Sequence, residues 1–584
     1  MSNNEEVCIG IDLGTTNSVA CAYNNGEFEF IPSSESTSVN GKVFPSYVAF
    51  MENEILVGEL AKRQIRRNSD KVVRSIKKDM GTDKKRQFRG EIFTPEKISS
   101  LILQKIKEDA EKFLGKPVKD AVITVPANFD NNQIAATIAA GKIAELNVLE
   151  TIEEPNAASL SYGFDKQRDR TKKILVFDMG GGTLDVTIME HGSIYEVLST
   201  AGNLNLGGER MDYRLQKYLA DEFKKKYNID IFEDKQASAR LLEAAERAKI
   251  DLSNIIETTV YLDSLIKNQD GEYIDFETRI NRAKLEELVW SIVNETGKTI
   301  QEALDVAKLT KENIDELILV GGPTRMPIVK KYVEKYIGKK SIGGIDPMEC
   351  VAKGAAIRVA SLIGGIAPIP IRTITPLSLG IKSQGDLTEF IIKRNSKIPI
   401  EKTRKFKTVS DNQTTIRVEI VQGENRMASD NTYLGSFVLN VNPNPRGKTI
   451  IEITFKIDED GMLSVIAKDK YTGNENSIDL DTPNQMDDFE IEEAIKWAQE
   501  NAENNKIRAK FAELKNAADK SIYDAKKIIN SDSVTYGEKL HLNSLISNLH
   551  KTIEENSNVE KPKFAIITMN INKLNDAILQ FNQY

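Results

Sequence analysis

The residues best suited to chemistry lie in the stretch 174–188. There the apolar run Ile174-Leu-Val-Phe177 meets Asp178, three glycines at 180–182, Thr183 and Asp185, and an apolar run then resumes at Val186. The pattern reads as a tight β-hairpin. Glycines let backbone N–H groups turn toward one point and approach an anion closely, while Asp178 and Asp185 are carboxylates suited to holding Mg²⁺ through its waters. That is the chemistry of a phosphate cradle with a metal. One glycine-rich turn is a common feature, but Val7 to Cys21 repeats the plan, with Asp12, Gly14, Thr15 and Thr16 between two apolar strands. A third turn, Gly321-Gly322, follows the apolar run Leu317 to Val320 and precedes a helix-like segment. Three such turns can surround one nucleotide.

The elements that must position these turns come from a chain of 584 residues, several domains at about 150 residues each. Hydrophobic residues make up 40%, charged residues 28%, and the net charge of −8 argues against nucleic acid as the main partner. A basic run does occur, with Lys62, Arg63, Arg66, Arg67, Lys71, Arg74, Lys77, Lys78, Lys84, Lys85, Arg86 and Arg89. It lacks interleaved aromatics for base stacking and reads as a solvated face. The polar, acidic start Met1 to Glu6 carries no secretory signal, and no apolar run approaches a membrane span, so a cytoplasmic, membrane-free protein is expected. Cys8, Cys21 and Cys350 lack metal-type spacing and fit a reducing compartment. With only three histidines, a histidine triad or multi-histidine metal site is disfavoured. Two Gly-Lys-Thr tripeptides, at 297–299 and 447–449, lack the glycine five positions earlier that a P-loop requires.

Strand-like runs such as Ala121 to Val125 and Glu316 to Val320 alternate with helical periodicity up to about residue 365, which is α/β organisation. The repeated Asp-Gly hairpin suggests two related lobes with a ligand cleft between them. Helices are expected over Asn132 to Ala144 and Ala237 to Ser253, the latter carrying Glu246, Lys249 and Ser253 along one side. Two glycines and two prolines within Ile363 to Arg372 mark the clearest boundary. Beyond it, Thr415 to Ile420 and Ile451 to Ile457 alternate strictly, with turns at Asp458 to Gly461 and Tyr471 to Gly473, which reads as an antiparallel β-sandwich. From Asp487 onward glycine nearly vanishes and Ile491, Ala494, Ile495, Ala498, Phe511, Leu514, Ala518 and Ile522 recur at helical spacing, a bundle of three or four helices that runs almost to Phe581. The expected division is 1–365, a linker 366–374, a sandwich 375–482 and a helical segment 483–584.

The residues Ile9 to Asn17, Phe177 to Asp185 and Val320 to Arg325 resemble the three ordered signatures of the actin-like ATPases, and within them the seventy-kilodalton heat-shock (DnaK) chaperones. The resemblance covers essentially the whole chain. It implies a nucleotide-binding ATPase domain, a β-sandwich that binds extended apolar peptides, and a helical lid. It further implies that Thr15, Thr16 and Asn17, with Gly14, Gly181, Gly182, Gly207, Gly208, Gly321 and Gly322, line the phosphates of ATP or ADP. Asp12, Asp178 and Asp185 would hold Mg²⁺ through water, with K⁺ flanking. Lys77 falls at the phosphate-contacting lysine, and Glu154 and Thr183 would orient the attacking water or γ-phosphate. Glu246, Lys249 and Ser253 would hold the adenosine, and Arg325 would stack on adenine.

Pro323 and Met348 depart from the usual pattern, the former removing a donor N–H, and the segment between Gly81 and Phe93 is short, as in Gram-positive and archaeal forms. In the sandwich Ile381, Phe406, Ile416 and Val418 match the peptide pocket, while Gln384 and Val409 match the arch over it; periodicity alone also allows Ile416 and Val418 to face the sandwich core. Pro126 matches the switch proline, whose usual arginine partner is here Ile134. The linker carries Pro370 and Arg372 in place of an uninterrupted apolar run followed by Asp. The implied function is that of a monomeric ATP-dependent chaperone, a stress-response protein that binds apolar segments of unfolded chains under the control of ATP binding and hydrolysis. J-domain co-chaperones and a GrpE-like exchange factor are the implied partners. The rival readings are a peptide-holding protein with a weakly coupled ATPase, motivated by Pro323, Pro370, Arg372 and Ile134, and an actin-fold small-molecule kinase, which would not need the segment 375–584.

Overall fold

The computed structural model describes residues 7–35, 41–52, 54–88, 90–163, 171–192, 194–268, 270–344, 346–458, 461–480, 488–529, 534–557 and 562–581. Expectations for Met1 to Glu6, Arg89, Glu459, Asp460 and Asp487 fall outside these residues, as do those for the side chains of Arg66, Ala498 and Phe581. The described residues form a mixed α/β structure in two compact units, one of residues up to 49 together with 57–491, the other of residues 50–56 and 492–584.

Two sheets of the first unit repeat one plan. In the first, the hairpin Val7–Asp12 and Asn17–Asn24 is antiparallel, with Val118–Val125 parallel beside it and Asn147–Glu153 beyond. In the second, the hairpin Lys172–Met179 and Leu184–His191 is antiparallel, with Glu316–Val320 parallel beside it and Tyr195–Asn203 on the other side. The register sets Asp178 opposite Asp185 and beside Val320, so the repeated acids and the third glycine turn meet at one end of the sheet. These strands are apolar on both faces because helices cover both, the pattern of parallel α/β sheets. Helix Cys350–Leu362 packs on the first sheet and on helix Glu154–Gly163 without side chains in between. A Cβ on Gly10 would lie 2.0 Å from the Ala356 nitrogen, and one on Gly354 would lie 1.7 Å from the Ala157 carbonyl oxygen. Helices observed over Asn131–Ile143 and Lys235–Asn254 match the expected spans to within two residues and begin on aspartate caps, Asp130 and Asp234.

Strands 379–383, 387–392, 415–422 and 432–440 form one antiparallel sheet, and strands 400–407, 450–457, 463–469 and 475–480 form a second. Ile420, Leu434, Ile453, Phe455 and Val465 fill a common core between them. The linker is not plain coil. Ile371 and Arg372 pair in parallel with Tyr195 and Glu196 as the edge strand of the second ATPase-type sheet, and the Tyr195 N–H donates to the Pro370 carbonyl at 3.1 Å. Proline serves there because an edge needs no N–H from it.

The other unit contains helix Asp488–Ile529 from residue 492 on and helices Tyr536–Asn556 and Phe564–Phe581, packed through Ala518, Ile522, Leu542, Ile546, Leu549, Ile567, Ile571 and Leu574. Among the described residues, no helix is long and apolar enough to cross a membrane.

Candidate nucleotide site

A cavity of about 590 Å³ opens where the ends of the two hairpins face each other. Its wall gathers Asp12, Gly14, Thr15, Thr16, Asn17, Lys77, Pro126, Glu154, Asp178, Gly181, Thr183, Gly208, Glu246, Lys249, Ser253, Gly321, Gly322 and Arg325. Asp185, Gly182 and Gly207 lie just behind that wall. Asp185 is opposite Asp178 in the hairpin, the Lys78 side chain covers Gly182, and Gly207 sits so close to Gly181 that a Cβ would be 2.4 Å from its carbonyl oxygen. The departures Pro323 and Met348 line the same cavity.

The glycines are there for space. A Cβ on Gly181 would meet the Thr16 hydroxyl at 2.2 Å, and one on Gly321, whose φ is +85°, would meet the Met179 carbonyl oxygen at 2.1 Å. The Thr16 hydroxyl is itself buried and has no hydrogen-bond partner among the described residues. A buried orphan hydroxyl costs about 1–3 kcal/mol unless a ligand satisfies it. An oxygen-rich ligand at this turn fits that need.

Four carboxylates converge below the turns. Asp12 accepts from the Thr124 hydroxyl at 3.3 Å, and Asp185 accepts from the Asn128 amide. Burial first, then the Glu154 carboxylate, pushes Asp12 and Asp185 up from 3.8 to about 7, and Asp178 is driven up by burial and by Glu154, Asp185 and Asp12 together. Carboxylates raised by one another form a donor set short of positive charge, and hard oxygen donors of this kind suit Mg²⁺. The cation the protein itself supplies is Lys77. It is only 6% exposed, and its Nζ donates to the Glu154 carboxylate at 2.6 Å, close over the Phe129 ring. Among the described residues of the basic run, Lys77 alone is buried, so the solvated-face reading holds for neighbours such as Arg74 and Lys85 and fails for it.

The adenosine-side residues share one helix. Lys249 pairs with the buried Asp212 at 2.6 Å, Glu246 with Lys62 at 3.6 Å, and the Ser253 hydroxyl turns back to the Lys249 carbonyl at 3.0 Å. Arg325 is held by Asp346 at 2.5 Å. Asp346 was not legible from sequence, because an acid two positions before Met348 has no motif of its own. Glu209 was missed for the same reason; it accepts from the Lys78 ammonium at 2.5 Å and from the Ser75 hydroxyl at 2.7 Å, which holds its carboxyl below the usual range. Glu153 was missed although its signal, a doubled Glu before Pro155, was in view. It is half-buried, accepts from Asn156 at 3.1 Å, and is pushed up to about 8 by desolvation and by Asp185.

In the sandwich, Ile381 and Val418 are buried in the core, whereas Phe406 and Ile416 are half-buried against it. Gln384 and Val409 are exposed in the loops that follow strands 379–383 and 400–407. Among the described residues the sandwich is joined to the ATPase-type part by polar contacts at three places. Gln422 accepts from the Asn131 N–H at 2.9 Å and donates to its side chain at 3.2 Å, while the Thr432 hydroxyl donates to Asp130 at 2.8 Å. Asn395 accepts from the Thr200 N–H at 3.0 Å and Arg394 donates to the Thr200 carbonyl at 3.1 Å. Lys397 pairs with Glu196 at 2.5 Å. The first of these places lies at the N-terminal cap of the helix that carries Ile134.

The chain matches the family described as Hsp70 protein over residues 8–89 and 84–583. It is 48% identical to the chaperone protein DnaK of Methanothermobacter thermautotrophicus over 554 residues, 94% of this chain and 93% of that one. It is 46% identical to that of Elusimicrobium minutum over 563 residues, 95% and 90% of the two chains, and 43% identical to that of Nitrosopumilus maritimus over 573 residues, 97% and 90%. A match that runs through the sandwich and the helices sets the kinase reading aside. The cleft with its paired acids and glycine turns, carried on a chain similar to these chaperones almost from end to end, makes the conclusion plain: the protein belongs to the Hsp70 family and is an ATP-hydrolysing, ATP-dependent chaperone.

Proposed function

We propose that the cleft hydrolyses MgATP with Lys77 and Glu154 as the central pair, and that the turnover drives capture and release of apolar segments of unfolded polypeptides by the sandwich. The observation that carries the reading is the buried Lys77–Glu154 contact at 2.6 Å beside Asp12 and Asp178. ATP hydrolysis needs positioned water, in-line geometry and neutralised charge more than a strong base. Thr15, Thr16, Asn17, Gly181, Gly182 and Gly322 present N–H and hydroxyl donors to the phosphates, and Gly14 lines the same turn. Glu246, Lys249 and Ser253 hold the adenosine, with Arg325 against the base. Glu154 and Thr183 orient water, and Lys77 places its charge at the γ-phosphate. Asp12, Asp178 and Asp185 would hold Mg²⁺ through its waters, with K⁺ as a further cation, and the bound metal would supply charge neutralisation.

Two related lobes enclosing the cleft are the natural reading of the repeated hairpin sheets. Binding free energy for a peptide comes in part from apolar side chains, each about 1.5–3 kcal/mol when fully buried, whereas micromolar affinity needs about 8. Phe406 and Ile416, half-buried, are the open end of the proposed pocket, with Ile381 and Val418 forming its floor and Gln384 and Val409 the arch. Pro126, Ile134, Pro370 and Arg372 lie on the proposed route between nucleotide and peptide. Family membership supports a J-domain co-chaperone and a GrpE-like exchange factor as partners and the cytoplasm as the compartment. The proposed division of labour is 1–365 for ATP, 366–374 for coupling, 375–482 for peptide and 483–584 for the lid.

Lys77→Ala tests the pair. Nucleotide binding stays nearly intact and single-turnover hydrolysis slows by about 10²–10³, about 3–4 kcal/mol of transition-state stabilisation. Unchanged single-turnover hydrolysis would remove Lys77 from the mechanism.

A further inference from the structure

The linker is held by more than its strand pairing. Ile369 is 6% exposed and belongs to the ATPase core with Ile357 and Val359, so its backbone is carried inside with its side chain. A buried N–H or C=O costs free energy unless it finds a partner. Pro370 biases the residue before it to extended backbone, in which the N–H and C=O of one residue point to the same side. That side is here helix Cys350–Leu362. The Ile369 N–H donates to the Ser361 hydroxyl at 3.1 Å, and the Ile369 carbonyl accepts from Arg358 Nη1 at 3.0 Å. Arg358 and Ser361 stand three residues apart on one face of that helix. The Pro370 carbonyl turns the other way and accepts from the Tyr195 N–H at 3.1 Å.

Arg358 is aimed by Glu150. Its Nε and Nη2 meet one Glu150 carboxylate oxygen at 2.9 and 2.7 Å, which fixes the planar guanidinium and leaves Nη1 directed at Ile369. The pair is partly shielded, with the Arg358 side chain 18% exposed and that of Glu150 32%, and is screened less than a surface ion pair. A lysine ammonium has no fixed fork and would hold the two acceptors less firmly. Glu150 lies in strand Asn147–Glu153, which runs directly into Glu154 of the cleft, and helix Cys350–Leu362 rests on the helix that begins at Glu154. Both members of the pair therefore stand on elements that meet Glu154.

We propose that Arg358, aimed by Glu150, is a positioning residue that latches the linker to the ATPase part by donating to the Ile369 carbonyl, and so keeps strand 371–372 on its edge. The use of this latch rests on the reading of residues 366–374 as the coupling segment. Without the Arg358 bond the Ile369 carbonyl is left buried and unpaired, and the linker leaves the edge more easily.

The full-length chain is compared with Arg358→Ala, Arg358→Lys and the charge exchange Glu150→Arg, Arg358→Glu, each in saturating ADP and in ATP. Deuterium exchange is read at the Tyr195 and Ile369 amides, in whichever nucleotide protects them more in the unaltered chain. Arg358→Ala is expected to speed both by about 10-fold or more, the size of one hydrogen bond from a charged donor. The Val186 and Leu319 amides, inside the second sheet, keep their rates, which separates a loosened linker from a loosened fold. Arg358→Lys falls in between. The charge exchange restores an ion pair but sets a carboxylate against the Ile369 carbonyl, so it stays at least as fast as Arg358→Ala. Release of a fluorescent apolar peptide loses most of its acceleration by ATP in Arg358→Ala, a drop of about 5-fold or more. The proposal is overturned if Tyr195 and Ile369 exchange at unchanged rates in Arg358→Ala, if Val186 and Leu319 quicken equally, if the charge exchange restores protection, or if acceleration by ATP survives the loss of protection. Release indifferent to ATP in the unaltered chain would remove the coupling reading alone, and the exchange rates would still decide the latch.

Discussion

At the scale of single residues, the cleft is organised by charge that the protein does not balance on its own. Asp12 and Asp185 are raised to about 7 and Glu153 to about 8, each first by burial. An acid whose folded value lies above its unfolded one binds more protons in the folded state between the two values. Stability contributed by these groups therefore falls as pH rises from about 4 to about 8 and is recovered on acidification through that window. With nucleotide and metal removed, the melting temperature is expected to rise from pH 8 to pH 6, by an amount on the order of a few kcal/mol in stability. Saturating MgADP flattens the dependence, because the carboxylates then face a cation. Differential scanning calorimetry at the two pH values, with and without MgADP, checks this. A melting temperature that falls on acidification in the free chain would show that the acids are compensated in some other way. Asp178 and the glycines were legible because their types and order form a repeated pattern, whereas Lys77, set in a basic run, was reached only through the family resemblance. Asp346, Glu209 and Asp212 were not, because each acts by meeting a cation brought from far along the chain.

At the scale of elements, two glycines that look alike in sequence do opposite work. Gly354, in helix Cys350–Leu362, has the Ala157 carbonyl 1.7 Å from where a Cβ would sit, whereas Gly537, in helix Tyr536–Asn556, has nothing within 4 Å. Gly354→Ala pushes against the helix that begins at Glu154, and is expected to destabilise by about 1–3 kcal/mol despite the gain of about 1 kcal/mol in helix propensity. It should also slow hydrolysis through displacement of Glu154. Gly537→Ala should stabilise by up to about 1 kcal/mol. Denaturant melts and single-turnover rates of both variants check the pair; equal effects would mean that the close helix contact relaxes at no cost. The hairpins, the alternating sandwich strands and the long helices were legible because periodicity and turn residues are local signals. The linker strand was not. Ile371 and Arg372 form two residues of strand only because Tyr195 and Glu196 offer an edge, and a segment with two prolines carries no local mark of that. The same limit applies to Ile416 and Val418, whose alternation was compatible with a pocket and with the core; Val418 is buried in that core and Ile416 packs half-buried against it.

At the scale of the whole molecule, nucleotide can change peptide affinity only by binding one arrangement of the ATPase and sandwich parts better than another. The arrangement described is held by Gln422, Thr432, Arg394, Asn395 and Lys397, besides the linker strand. ATP is therefore expected to accelerate dissociation of a fluorescent apolar peptide, relative to ADP, and the double variant Arg394→Ala, Asn395→Ala to lose most of that acceleration while keeping basal hydrolysis. Stopped-flow dissociation with ADP and with ATP checks it. Tight peptide binding indifferent to nucleotide in the unaltered chain would favour the holding protein instead. Two of the joining contacts, with the linker strand, also amount to a clock. The N–H groups of Asn131, Tyr195 and Thr200 belong to the ATPase part, yet their acceptors are Gln422, Pro370 and Asn395 from beyond it. Exchange of these three amides with deuterium is slow only for the fraction of time each acceptor is in place. If the sandwich leaves as one body, the three share a single opening free energy; if the linker peels first, Tyr195 exchanges ahead of the other two, and the order of their exchange is the order in which the molecule comes apart.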